Sequence, residues 1–171
     1  QNSGLDLTER LWISPRCNIV MPYHPMVESV YELAKGASRT GTTKRGMGPV
    51  FADKVSYNGI RLYDLADEDV FAEKLRIQLS IKNPILKAFD MPELDFEQVF
   101  QEKLDQYAQL SHWVREPYGL IQDGLASDGN LLLEGAQGAL LDNQWGTYPY
   151  CTASTTLSGG ACAGLGIKPQ S

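Results

Sequence analysis

Cysteine, basic surplus and long apolar runs are all scarce in this chain, and each scarcity removes a class of protein. Cys17, Cys151 and Cys162 are odd in number and show no zinc-ligand spacing, so a disulfide scaffold and a zinc module fit poorly and a reduced, cytosolic setting is expected. Lysine and arginine total 15 against 21 acidic residues, and the net charge of −6 argues against broad nucleic-acid binding, which rests on cations over phosphate. A small local phosphate site stays open. No apolar run approaches the roughly 18–20 residues that span a bilayer, so no membrane is expected. The opening QNSGLDLTERLW lacks the charged and apolar regions of a signal peptide.

What is present is an ordinary globular composition, 43% hydrophobic and 21% charged over 171 residues, long enough for a real core. The chain opens at Gln1 without methionine. It closes on GGACAGLGIKPQS, where glycines resemble the entrance to a further helix or strand. The expectation is one partial domain, residues 1–171, of a larger protein; a trimmed but complete domain is the alternative.

Between Arg10 and Met21, Leu11, Trp12, Ile13, Ile19 and Val20 are interrupted by Pro15, which predicts short strand-like pieces. Pro25 to Lys35 predicts a helix with Val27, Val30, Tyr31 and Ala34 on one face and Gly36 as its stop. Residues 36–66 are glycine-rich with little periodicity, too long for an idle connection. Asp67 or Asp69 can cap a helix carrying Val70, Phe71, Leu75 and Leu79, expected to end before Pro84. A second begins near Asp95, which pairs with Gln98 like a capping box, and carries Val99, Phe100, Leu104, Tyr107 and Leu110. Pro117 to Leu125 is a third helical piece, followed by a turn over residues 127–130. Leu131-Leu132-Leu133 then reads as a buried strand.

Two loops hold the chemistry. The first, Thr40-Gly41-Thr42-Thr43-Lys44-Arg45-Gly46-Met47-Gly48-Pro49, is followed by Asp53 and Lys54. Glycines let backbone N–H groups approach a ligand, hydroxyls add donors, and Lys44, Arg45 and Lys54 add positive charge. These are the parts of a phosphate cradle, although the Gly-Lys-Ser/Thr ending of a Walker A loop is missing. A surface turn is the plainer reading. The second loop leaves the leucine run as Glu134-Gly-Ala-Gln137-Gly138 and continues to Trp145-Gly-Thr-Tyr-Pro-Tyr-Cys-Thr152. Gln137 offers both donor and acceptor to a base edge, and Thr152 with Ser154, Thr155 and Thr156 offers hydroxyls.

Taken together, GTTKRGMGPVFADKV, EGAQGALLD and WGTYPYCTAS closely resemble adenylosuccinate synthetase, as do RLWIS, YHPMVESVYELAKG and the glycine-rich tail. The resemblance covers nearly the whole chain. It implies a helix-rich α/β piece of a P-loop-NTPase-like domain, with a few strands of a larger central sheet. It implies a cytoplasmic, homodimeric ligase that joins L-aspartate to inosinate (IMP) using GTP and Mg²⁺ through a 6-phosphoryl intermediate. By position, it implies that Thr43, Gln137 and Thr152 contact inosinate, with Arg45 and Lys54 as active-site support. No catalytic residue and no metal ligand of the family falls in this segment: the phosphate loop and the catalytic aspartate and histidine belong upstream, the aspartate and guanine sites downstream. His24 and His112 are left to capping or packing, and Asp6, Asp53 and Asp142, with no visible base partner, are assigned no proton transfer.

Departures from the family pattern are specific. Tyr57 stands where the family has an arginine that reaches a partner subunit's nucleotide phosphate. Asp142-Asn143-Gln144-Trp145-Gly146 replaces Asp-Ile-Asp-His-Gly, and Thr152-Ala153-Ser154-Thr155 replaces Thr-Ser-Ser-Asn. A paralogue acting on another purine nucleotide such as a guanylate, and a non-catalytic nucleotide-binding or dimerisation module, are the alternatives.

Overall fold

The computed structural model describes Gly4, residues 6–127 and residues 129–169. Six α-helices carry the described chain: α1 (Tyr23–Lys35), α2 (Met47–Val55), α3 (Glu68–Ala88), α4 (Phe96–Leu110), α5 (Tyr118–Ala126) and α6 (Ser158–Leu165).

Local chemistry accounts for most of their ends. Gly36 stops α1 with φ 57°, which glycine adopts without a Cβ penalty. Asp67, not Asp69, caps α3, its Oδ1 accepting the amides of Asp69 and Val70 at 3.1 Å each. Asp95 Oδ1 accepts the Gln98 amide at 2.9 Å and starts α4. Pro117 directly precedes α5, and of the turn predicted after it Asp128 lies outside the described residues.

The core forms where helical stripes meet. Tyr23, Phe71, Leu75, Leu79 and Val99 are buried with Met21, Ile60 and Leu65, and Phe96, Phe100, Leu104 and Tyr107 pack against them. Phe71 and Phe96 both stack on Phe100, at 5.3 and 5.4 Å between ring centroids. A smaller cluster joins Val27 and Val30 of α1 to Leu86 of α3.

Three expectations are corrected. First, α3 does not stop before Pro84 but runs through it to Ala88. An internal proline costs about 3 kcal/mol. Burying Leu86 completely contributes about 1.5–3 kcal/mol in the other direction. Asn83 helps, because its amide donates to Leu94 O at 2.9 Å and accepts the Leu94 amide at 3.0 Å, tying α3 to the segment before α4. Second, the inner face of α1 is not the predicted apolar stripe. Tyr31 and Ala34 are exposed, whereas Glu28 and Glu32 are buried with Val27 and Val30. Third, the strands are not formed among the described residues. The pieces between Arg10 and Met21 reduce to two isolated bridges, Ile13 with Val114 and Asn18 with Arg61. Leu131, Leu132 and Leu133 are 42, 92 and 43% exposed rather than buried. A strand needs a neighbouring backbone to satisfy its N–H and C=O groups, and no described segment runs alongside this one. The helix-rich half of the α/β expectation therefore stands, and no strand of the expected sheet forms among the described residues.

The supposedly irregular stretch 36–66 holds a helix as well. α2 spans only nine residues, too few for a clear periodic signal, and Pro49 sits in its first turn where a missing N–H costs nothing. A short 3₁₀ segment, Leu62–Ala66, then leads into the cap of α3.

Candidate nucleotide site

Glu28 and Glu32, one turn apart on α1, shape the first loop. Glu32 Oε2 accepts the Gly41 amide at 2.9 Å, and its Oε1 accepts the Thr40 amide and the Lys35 ammonium at 3.3 Å each. Glu28 Oε2 accepts the Gly46 amide at 2.8 Å. The Gly41 amide foremost, with Lys35 and Thr40, holds the Glu32 carboxyl below the usual carboxylate range. This corrects the cradle in one respect: the amides of Gly41 and Gly46 are already engaged, leaving the threonine side chains and the intervening N–H groups to meet a ligand. The signal was two glutamates at i and i+4 on the helix preceding a glycine loop, which a purely apolar reading of the stripe passes over.

Gly46 fits the loop onto α1. It has φ 78°, and a Cβ there would lie 2.7 Å from both His24 Cβ and Pro25 N. Beneath it lies a buried polar cluster that local sequence does not reveal. His24 Nδ1 accepts the Met21 amide at 2.7 Å, so Nε2 carries the proton and donates to Asp53 Oδ2 at 3.0 Å. Lys82 Nζ donates to Asp53 Oδ1 at 2.7 Å. Asp53 therefore does have basic partners, both 29 residues away in sequence, and that expectation is corrected. Burial alone would raise the Asp53 carboxyl, but its bonds to His24 and Lys82 outweigh burial and bring it below the ordinary range. Burial, with the Asp53 charge, holds the Tyr23 phenol well above its ordinary value. His24 thus packs and braces, and His112 lies against Trp113 with ring centroids 3.9 Å apart.

The second loop is organised by Asp142, which is 1% exposed. Its Oδ1 accepts the amides of Gln144 and Trp145 at 2.9 and 3.0 Å, and its Oδ2 accepts that of Thr156 at 2.8 Å. The Trp145 and Gln144 amides foremost hold this carboxyl below its usual range. Its partners are backbone amides, so it is an organiser of the turn. Thr152 N donates to Leu141 O at 2.8 Å, and Thr156 Oγ1 to Gly138 O at 2.9 Å, which draws the 152–156 segment against the Gln137 turn. Gln137 Oε1 accepts from Ser154 Oγ at 3.2 Å, and its Nε2 makes no hydrogen bond among the described residues.

The two loops face each other across a cavity of about 350 Å³. Thr43 lines it from the first loop, Gln137 and Thr152 from the second, with Glu28, Thr42 and Cys151 also at its wall. The Thr42 hydroxyl is buried and has no partner among the described residues. A larger cavity, about 740 Å³, adjoins through Met47 and Gln137 and continues along residues 132–136 and α6. Arg45 and Lys54 do not line the smaller cavity. Both are exposed, and the Lys54 ammonium lies 5.4 Å from the Phe51 ring centroid. Tyr57 is 97% exposed, beyond α2, with φ 65°. Among the described residues no three acidic, histidine or cysteine side chains converge as a metal site, and no helix is long and apolar enough to cross a membrane.

The cavity brings hydroxyls, a carboxamide and glycine turns from two distant loops to one lining, groups that can hydrogen-bond a small polar ligand. The adenylosuccinate synthetase family model matches residues 1–171. The adenylosuccinate synthetase of Clostridium novyi is 40% identical over 170 residues, covering 99% of this chain and 40% of that protein. That of Lactobacillus johnsonii is 43% identical over 168 residues, covering 98% and 39%. Among solved structures, the fully ligated adenylosuccinate synthetase of Plasmodium falciparum superposes with a TM-score of 0.85 at 31% identity, over 97% of this chain and 39% of that one. The chain belongs to the adenylosuccinate synthetase family. It spans about two fifths of the length of the curated relatives it matches.

Proposed function

We propose that this chain supplies the inosinate-binding part of a ligase that joins L-aspartate to inosinate at the expense of GTP, giving adenylosuccinate. The observation that carries the reading is the shared cavity: Thr43, Gln137 and Thr152, from loops far apart in sequence, line one pocket of nucleotide-fragment size. In this reading the Thr43 and Thr152 hydroxyls donate to the 5′-phosphate. The free Nε2 of Gln137 donates to the base or sugar side, with its Oε1 held by Ser154. Arg45 and Lys54 act from outside the pocket, as charges that favour an incoming anion.

The described residues do not fit a magnesium site by themselves, because they assemble no carboxylate cluster. By the family resemblance, the ligands of Mg²⁺ and GTP are assigned largely to parts of the ligase outside this segment, together with the groups that move protons. The 171-residue chain alone is accordingly proposed to be inactive, and to be one partial domain of a P-loop-NTPase-like fold. A cytoplasmic homodimer is proposed for the whole enzyme, with Tyr57 on an exposed face where a partner subunit can reach it.

One observation favours keeping a guanylate as a second reading. Ala153 and Thr155, which depart from the family pattern, lie at the walls of the smaller and the larger cavity respectively. Both readings are tested by calorimetric titration of the full-length gene product with inosinate, guanylate and inosine. Thr43→Ala should weaken inosinate by about 1.5 kcal/mol, roughly tenfold, and leave inosine nearly unchanged. Gln137→Ala should weaken inosinate and inosine by a similar factor. Tighter binding of guanylate than of inosinate would replace the substrate, and equal loss of nucleotide and nucleoside in Thr43→Ala would refute the phosphate role.

A further inference from the structure

The first loop is fastened at both ends by α1, and this bears on how the pocket binds. Glu32 takes the amide of Gly41 and Glu28 takes that of Gly46. Thr42 and Thr43 lie between these two anchors. Both glutamates are buried, and Glu28 reaches the cavity wall. Negative charge behind a phosphate pocket opposes the ligand electrostatically, so it must serve another purpose if the pocket takes an anion. The geometry supplies one. Carboxylates on a fixed helix hold the loop amides more rigidly than water does, and a loop held this way has less freedom to lose when ligand arrives.

Resting on the nucleotide-site reading above, we propose that Glu28 and Glu32 are positioning residues that pin the two ends of the Gly41–Gly46 loop, so that Thr43 is presented ready-made to the phosphate. What matters at Glu28 is the acceptor oxygen, since only its Oε2 is engaged by the loop amide. Its charge is a cost to anion binding. This separates two substitutions. Glu28→Gln keeps an acceptor and removes the charge, whereas Glu28→Ala removes both.

The test uses the full-length gene product and its Glu28→Gln, Glu28→Ala and Glu32→Ala variants, titrated with inosinate and with inosine. The alanine variants should bind inosinate about tenfold more weakly, with inosine within about twofold of the parent. Glu28→Gln should bind inosinate as tightly as the parent or more so, and this rescue is what a merely structural role would not produce. Amide hydrogen exchange, read without ligand, should speed up at least about tenfold at Gly41 in Glu32→Ala and at Gly46 in Glu28→Ala, with α3 unchanged. Unchanged exchange overturns the clamp whatever the ligand does. So does a Glu28→Gln variant as weak for inosinate as Glu28→Ala, or alanine variants that bind inosinate like the parent. Should the parent bind no purine monophosphate, the functional reading fails, and exchange at Gly41 and Gly46 still decides whether the loop is pinned.

Discussion

Replacing Gly46 by alanine should destabilise the protein far more than the same change at Gly41, although both glycines sit in one loop with nearly equal φ. Gly41 has φ 75° and an added Cβ would meet nothing within 4 Å. Its substitution carries only the left-handed penalty of about 1–2 kcal/mol, partly offset by the lower entropy of the unfolded alanine chain, for a net of about 1 kcal/mol. Gly46 has φ 78° and carries the same penalty. In addition its Cβ would lie 2.7 Å from His24 Cβ and Pro25 N and 2.9 Å from His24 C. Two of these three atoms are backbone, so the clash is relieved only by moving the loop off α1, which also lengthens the Gly46–Glu28 hydrogen bond. Overpacking of this kind costs about 1–3 kcal/mol. The expected total is about 2–4 kcal/mol. Urea unfolding of the full-length gene product and both variants, followed by circular dichroism, measures the difference. Equal losses at the two positions would refute the close docking of loop on helix from which the site is built.

Three further outcomes are expected. Lys82→Met strands the buried Asp53 carboxylate with His24 alone and should cost about 3 kcal/mol, much of it recovered in a Lys82→Met, Asp53→Asn double variant; additive losses in the double-mutant cycle would contradict the coupling. Leu86→Ala should cost about 2–5 kcal/mol by opening a cavity between α1 and α3, and should speed amide exchange in the turn after Pro84; a loss under 1 kcal/mol would mean that packing does not hold α3 past the proline. The lowered carboxyls of Asp142 and Glu32 contribute stability that is fully present above the ordinary carboxylate value near pH 4 and is lost as pH falls through their lower folded values. Stability should therefore change little from these groups between about pH 5 and 8 and decline below about pH 4, and Asp142→Asn should flatten that acid limb in a pH series of urea midpoints.

What could be read from the sequence was what neighbouring residues decide among themselves. Asp67 and Asp95 sit next to the amides they cap, Gly36 ends α1 by its own φ, and the stripe of Phe71, Leu75 and Leu79 repeats within one helix. The pocket residues Thr43, Gln137 and Thr152 were legible for a different reason: motifs of glycine, hydroxyl and amide carry a family resemblance independent of the fold around them. Contacts between distant segments decided the rest. Glu28 and Glu32 face inward because the glycine loop brings amides to them, so burial there follows hydrogen bonding rather than hydropathy. Asp53 gains His24 and Lys82 only when α1, α2 and α3 pack, and α3 outlasts Pro84 where Leu86 finds Val27 and Val30 and Asn83 bonds to Leu94. The leucines at 131–133 show the converse. Apolar character makes a strand only when another backbone lies alongside, and no described segment of this chain does.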